Sequence, residues 1–378
     1  MVSVLHLIDS LSSGGAERVA VNLANEQAKR GYQVTLCASR RGGPLEKEIA
    51  PEVHFINLQR RFRFDLAAFA RLIRTIKEDS VQIIHAHSSS IFIAALAKRL
   101  QPGTKVIWHD HYGGLALRKR STTFYRPVIR SVDGVIAVNQ ELAHWSIDQL
   151  GMQASMVRYI PNFVVDHQKG SPSDIPGVRG YRIVNVANLR PQKDHLTLIQ
   201  AMKIVTAREP KAHLILVGSD VDKETSGKIW KEIASLDLST NITWLGLRED
   251  VQDILINCDI GIISSVSEGL PLALLEYGQA GLAVISTNVG ECPAVLDQGK
   301  CGILVPPQSP QEMADGLLSY LHEPAKWAAM ASAFHERVVK TYSANEVLRQ
   351  VEDMYQHLLN QVRLNNEFTT NPDYTKSK

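Results

Sequence analysis

Cysteine is scarce in this chain: there are four among 378 residues, and Cys37, Cys258, Cys292 and Cys301 form no Cys-x-x-Cys or Cys/His pattern with metal-ligand spacing. That scarcity excludes a disulfide framework and a structural zinc site as the devices that hold the fold, and it fits a reducing cytoplasm. Long apolar runs are missing too, since nothing approaches the roughly eighteen consecutive apolar residues of a membrane-spanning helix. The amino terminus, Val2-Ser3-Val4-Leu5-His6-Leu7-Ile8, lacks the basic segment and cleavage site of a signal peptide, so it reads as a first strand. No Gly-x-Gly-x-x-Gly follows that strand and no acidic residue closes the next one, Val34 to Arg40, which argues against a dinucleotide site.

What is present is an ordinary globular composition, 44% apolar and 21% charged, in a length that suggests two or three domains. Strands are expected at 53–57, 81–85, 104–108 and 134–138, and helices near 65–78, 91–100 and 140–150. Their alternation implies an α/β fold with a parallel sheet and right-handed crossovers. Residues 166–180, rich in Gly, Pro, Ser and charge, read as a linker between a first α/β domain at 1–165 and a second at 181–342. A last helix is expected at 343–363, and a polar, frayed tail at 364–378. Charge divides unevenly: residues 1–165 hold 21 Lys and Arg against 13 Asp and Glu, a net +8, and the remainder is −6. A basic first half suits an acidic partner such as phosphates or an anionic membrane surface. Arginines interleaved with aromatics, at Arg60-Arg61-Phe62-Arg63-Phe64 and from Arg118-Lys119-Arg120 to Phe124-Tyr125-Arg126, suit the interfacial zone of such a surface or a lipid diphosphate.

The chain is organised around Ser264-Ser265-Val266-Ser267-Glu268-Gly269-Leu270-Pro271-Leu272-Ala273-Leu274-Leu275-Glu276, which follows the apolar strand Ile260 to Ile263. With a helix from Leu270 to Gln279 and Pro271 in its first turn, Glu268 lies in the strand-to-helix loop and Glu276 about two turns into the helix. Ligands of open α/β sheets bind beyond the carboxyl ends of strands, where the amides of Gly269, Leu270 and Leu272 can meet an anion. A flanking carboxylate pair suits a polyhydroxylated, phosphate-bearing ligand.

Glu-x7-Glu, written EGLPLALLE after a strand ending in Ser-Ser, resembles the donor-site motif of the retaining GT-B glycosyltransferases of family 4 (group 1). The resemblance runs to about residue 360 and implies two Rossmann-like domains facing a cleft. It implies transfer of a sugar from a nucleotide-sugar to a hydroxyl acceptor, a glycan or lipid-linked glycan in cell-surface polysaccharide synthesis. No metal and no cofactor are expected, the nucleotide-sugar being a substrate, and no nucleic acid is expected as partner. The setting it suggests is cytoplasmic, peripheral on the inner face of the membrane. Gly14 and Gly15, in Gly-Gly-Ala-Glu-Arg after the first strand, match the family loop whose backbone approaches the sugar diphosphate. His109 best matches the histidine near the anomeric centre, with His111 as fallback. Lys193 aligns with the diphosphate-binding lysine, while Asn188 occupies the usual arginine position and Arg190 stands two residues later. Leu247 follows Gly246 where relatives seat the base, and Pro271 completes the donor loop; no role carries over to Ala294, which replaces a family glutamate. His109, Lys193 and Glu268 are the expected catalytic residues. The alternatives are an epimerase or phosphorylase of the same architecture, or a catalytically silent nucleotide-sugar or glycan-binding module.

Overall fold

The computed structural model describes residues 1–112, 120–165 and 174–370, the last ten of these as backbone only. They divide into two compact units: residues up to Pro161 with those from Asn345 onward, and Asn162–Ala344.

In the first unit β1 (Ser3–Ser10), β2 (Gln33–Arg41), β3 (His54–Asn57), β4 (Ile83–His87), β5 (Lys105–Asp110), β6 (Gly134–Ala137) and β7 (Val157–Tyr159) form one sheet in the order β3-β2-β1-β4-β5-β6-β7. The second holds β8 (Arg182–Val186), β9 (His213–Val217), β10 (Ile242–Trp244), β11 (Ile260–Ile263), β12 (Ala283–Thr287) and β13 (Ile303–Val305), in the order β10-β9-β8-β11-β12-β13. Every pairing within these two sheets is parallel. Parallel strands are bridged by helices on both faces, so their residues are buried on both sides and alternate between two cores. In the second unit Ile183, Leu214, Leu216, Ile260 and Ile262 enter one core, and their neighbours Val184, Ile215, Val217 and Ile263 enter the other. Strand order reverses at β1, between β2 and β4, and at β8, between β9 and β11. Those reversals leave a crevice at the carboxyl ends of the flanking strands.

Three boundaries differ from expectation. The helix after β11 is Leu272–Ala280, with Pro271 as its extended N-cap (φ −72°, ψ 124°), so Glu276 lies a little over one turn in, not two. Proline fits the cap because that position keeps a non-helical ψ and proline's fixed φ suits it. The last helix, Ala344–Thr370, continues past 363 into the segment expected as tail, because no Gly or Pro interrupts it before Pro372 and extending a helix is easier than starting one. Of the expected linker, 166–173 lie outside the described residues, while Ile175 is 4% exposed in a core of the second unit. No described helix is long and apolar enough to cross a membrane.

The glycines in the second unit are packing positions as well as turns. A Cβ on Gly261 would sit 2.5 Å from the ring of Tyr277, a fully buried side chain whose hydroxyl accepts from the Val186 amide at 2.7 Å. Gly261→Ala is therefore expected to lower unfolding free energy by about 1–3 kcal/mol through overpacking. Urea denaturation checks this: the midpoint should fall with the slope unchanged.

Candidate functional site

The switch point of the second sheet brings together the loops that follow β8 and β11. Lys193 ends the short turn Pro191–Lys193, and Asp194, at φ +47°, caps the next helix by accepting from the Thr197 amide. The Lys193 ammonium donates to Glu268 Oε1 at 2.6 Å, and the Ser265 hydroxyl donates to the same oxygen at 2.5 Å. The lysine side chain is 23% exposed and the glutamate 9%, so the pair is largely desolvated and less screened than a surface bridge. Two bonds to backbone carbonyls hold the two loops in this register: the Ser264 hydroxyl donates to the Lys193 carbonyl at 2.8 Å and the Val266 amide to the Gln192 carbonyl at 2.9 Å. A third loop closes over them at Gly290, where φ is +54° and a Cβ would lie 2.4 Å from the Glu268 carbonyl oxygen. Only glycine combines that approach with that backbone.

The remaining donor-loop residues fall nearby in sequence but differ in character. Gly269 and Leu270 are buried, the Leu270 carbonyl accepting from Asn162 Nδ2 at 2.8 Å, and Pro271 is buried as the cap. Leu272 opens the helix and so offers one of its first-turn amides, and Glu276 is half-buried on that helix. Arg190 is exposed. Leu247 is 47% exposed beside Gly246 (φ +71°), whose carbonyl accepts from the Gly218 amide at 2.9 Å. No Asp-x-Asp was expected in this chain, and that expectation is wrong: Asp220-Val221-Asp222 is one. Asp222 caps the Lys223–Ser235 helix through the Thr225 amide, and Asp220 pairs with Lys223 at 2.8 Å.

In the first unit, Gly14 is the extended cap of the Gly15–Lys29 helix, which follows β1. Beyond its chain neighbours and its own helix backbone, a Cβ on Gly15 would meet no atom of the described residues within 4 Å, so no described contact demands glycine there. His109 is 3% exposed near the end of β5 and belongs to a cluster of five imidazoles. His6 pairs in register with His85, and His87 with His109, on adjacent parallel strands. The two-residue spacing of His85/His87 and His109/His111 then turns those four toward one face of the sheet. That repeat was visible in the sequence as a signal, but its partners Gln27 and Tyr355 were not. His6 Nδ1 and His87 Nε2 lie 3.1 Å apart, His87 Nδ1 and His111 Nε2 3.0 Å, and His85 Nε2 and His109 Nδ1 2.9 Å. Burial pushes His6 down to about 4 and His111 to about 3. It also holds His85, His87 and His109 well below the ordinary range, with neighbouring imidazoles adding repulsion.

One expectation for the basic segments is overturned. Arg120 is buried, with its side chain 5% exposed, and forms a two-point ion pair with the fully buried Asp110 at 2.5 and 3.0 Å. Its guanidinium lies 4.5–5.2 Å from the ring centroids of Tyr112, Tyr125, Trp145 and Trp108. The cation that read as a surface contact is consumed by a buried carboxylate. Arg118 and Lys119 lie outside the described residues. Arg60 turns toward Asp9 at 3.6 Å, while Arg61, Phe62, Arg63 and Phe64 are exposed.

Two doubly wound parallel units of this strand order define the GT-B glycosyltransferase architecture. The protein from Anabaena solved with UDP-glucose, Alr3699/HepE, shares it at a TM-score of 0.80 and 21% identity, over 94% of this chain and 100% of that one. This chain belongs to the group 1 glycosyltransferases: residues 13–168 match the family model Glycosyltransferase Family 4 and residues 177–337 match Glycosyl transferases group 1. Among curated relatives, N-acetyl-alpha-D-glucosaminyl L-malate synthase of Bacillus anthracis is 24% identical, over 92% of this chain and 95% of its own. Phosphatidyl-myo-inositol mannosyltransferase of Mycobacterium tuberculosis is 22% identical, over 90% and 93%.

The neutral imidazoles carry a pH signature. An unfolded chain protonates them below about 6.5, whereas the fold keeps His6 neutral down to about 4. Stability is therefore complete above that first value and falls as pH drops, by about 1.4 kcal/mol per pH unit for each histidine so held. Urea midpoints measured from pH 7.5 to 5, above the range in which carboxylates titrate, should decline steadily; a flat profile would contradict a neutral cluster.

Proposed function

We propose that the protein moves a sugar from a nucleotide-sugar to a hydroxyl of a glycan or lipid-linked glycan, with retention at the anomeric carbon and without a metal. The observation that carries this is the 2.6 Å pair of Lys193 and Glu268 at the sheet's switch point. As the glycosidic bond breaks, negative charge grows on the departing diphosphate, and an ammonium there stabilises the transition state more than the bound donor. First-turn amides at Leu272 add partial positive charge, and exposed Arg190, three residues before Lys193 in the same loop, supplies a second cation. Both contacts to Glu268 fall on Oε1, which leaves Oε2 to accept from a hydroxyl of the transferred sugar. Glu276 would accept from the ribose. A carboxylate held by an ammonium and a hydroxyl is a poor nucleophile, which favours same-face attack assisted by the leaving phosphate over double displacement through Glu268.

In the first unit the open space above Gly15 suits close approach of a ligand to backbone, and His109 is the hydroxyl-binding group. The relative solved with UDP-glucose makes uridine the first base to test. A cytoplasmic, membrane-peripheral setting belongs to this reading, supported by Phe62, Phe64 and Leu66, which are 62, 77 and 78% exposed beside Arg61 and Arg63.

Thermal shift against nucleoside diphosphates and their sugars identifies the donor. With that donor saturating, Lys193→Ala is expected to lower single-turnover rate by roughly 10²–10³, about 2.7–4 kcal/mol, with a smaller loss of donor affinity. A correctly folded variant that keeps near-wild-type turnover would sink the assignment. For the surface, Arg61, Phe62, Arg63 and Phe64 changed together to Ser should abolish sedimentation with anionic vesicles and leave donor binding intact. Persistent sedimentation would count against that patch.

A further inference from the structure

Gln27, fully buried, engages both ends of its amide: Oε1 faces His6 Nε2 at 2.8 Å, and Nε2 donates to the Tyr355 hydroxyl at 3.2 Å. Two lines of hydrogen bonds start from this one side chain. In the first, His6 Nε2–H donates to Gln27, so His6 Nδ1 accepts from His87 Nε2–H, and His87 Nδ1 accepts from His111 Nε2–H. The line ends in a lone pair on His111 Nδ1. In the second, the Tyr355 hydroxyl accepts from Gln27 and so gives its single proton to His85 Nδ1, 2.5 Å away. His85 Nε2–H then donates to His109 Nδ1, and the line ends in an N–H on His109 Nε2. Turning the Gln27 amide over reverses every proton in both lines at once. In either orientation all five rings share one neutral tautomer, and the two ends are opposite in sense.

Those two ends, His109 Nε2 and His111 Nδ1, are buried atoms without a partner among the described residues, on rings stacked with centroids 4.0 Å apart. An unmet buried donor and an unmet buried acceptor each cost free energy that a matching ligand recovers. One N–H beside one lone pair complements a hydroxyl, which accepts and donates through a single oxygen. The doubly esterified, fully ionised diphosphate of a nucleotide-sugar offers no proton to the lone pair, and an ammonium offers nothing to the N–H.

We propose that Gln27 and Tyr355 are positioning residues that set the proton order of both lines, and that His111 gives the hydroxyl held by His109 a second point of contact, one ring donating and the other accepting. That the hydroxyl belongs to a sugar rests on the proposed transfer; the proton order does not. The same rings include two groups, His6/His85/His87 and His87/His109/His111, whose nitrogens lie within 4.8 Å. Two nitrogens on one tetrahedral metal sit roughly 3.3 Å apart given bonds of about 2.0–2.1 Å. The spacings of 2.9–3.1 Å found here are those of N–H···N bonds.

Full-length protein labelled with ¹⁵N-histidine tests this by long-range ¹H–¹⁵N correlation at neutral pH. All five imidazoles should appear in one neutral tautomer, Nε2–H with Gln27 oriented as above. Tyr355→Phe removes the proton that points His85, so His85 and His109 should move to averaged shifts while His6, His87 and His111 keep theirs; general loosening would move all five. UDP-glucose, UDP and methyl α-glucoside are then added in turn. A shift of His109 and His111 with UDP-glucose but not UDP assigns the hydroxyl to the donor sugar, and a shift with the glucoside alone assigns it to the acceptor. Mixed tautomers in the wild type, an imidazolium among the five, or a copurified metal on the cluster overturns the proposal. So does a nucleotide-sugar that turns over without moving either ring. Uniform tautomers in a protein that transfers no sugar would leave the proton order standing and remove the transfer reading.

Discussion

Parallel pairing governs this molecule. Strands that all run the same way need a crossover after each one, and the crossovers here cover both faces of each sheet with helix. What remains open is the edge where strands end, and every loop that leaves a strand starts at that edge. Polar side chains that the cores exclude collect there: Lys193 and Glu268 after β8 and β11, and the histidines at the ends of β4 and β5. The reversal of strand order at β1 and β8 parts neighbouring loops and makes room for a ligand.

Concentrating polar groups at a buried edge raises the question of how each is satisfied, and the chain uses three answers. Asp110 and Arg120 are both charged and both buried, which geometry makes tolerable: two parallel hydrogen bonds, and aromatic faces around the guanidinium. Removing either partner of such a pair typically costs about 3–5 kcal/mol, because the other is left charged in a poor solvent. Lys193 keeps partial exposure while Glu268 is nearly buried, and the ammonium, which has three protons, can bond Glu268 and still donate to an incoming anion. The five histidines avoid charge altogether. Burial makes the imidazolium unfavourable, and a neutral ring that donates at one nitrogen and accepts at the other can be chained without limit.

The charge asymmetry between halves is carried by particular side chains. Several cations before residue 165 are held by ion pairs: Arg18 by Glu48, Lys98 and Lys105 by Asp133, and Arg120 by Asp110, all with acids already counted in the net +8, and Arg30 by Glu352 on the last helix, which lies outside that count. Pairing therefore decides which cations are left to meet an anionic partner, and of these pairs only the one with Glu352 lowers the net charge. The exposed cations that remain beside aromatics among the described residues, Arg61, Arg63 and Arg126, are a small subset.

Strand positions, the α/β class and the loop that carries Glu268 were legible because they rest on local signals. An apolar run, a Gly-Leu-Pro turn and a spacing of residues report on backbone that is contiguous in sequence. The helix start at Leu272 and the helical run to Thr370 were misjudged by two to seven residues, since caps depend on ψ at single positions. The fate of Arg120 was illegible because its carboxylate and its ring neighbours come from separate elements. By itself the sequence determined which loops would stand at the strand ends and which side chains they would carry. Only the tertiary structure decided that Lys193 closes on Glu268, 75 positions away, and that Gln27 joins Tyr355 across 328. The physical reason is that a hydrogen bond is fixed by ångströms in space, and separation along the chain carries no record of it until the sheets have folded.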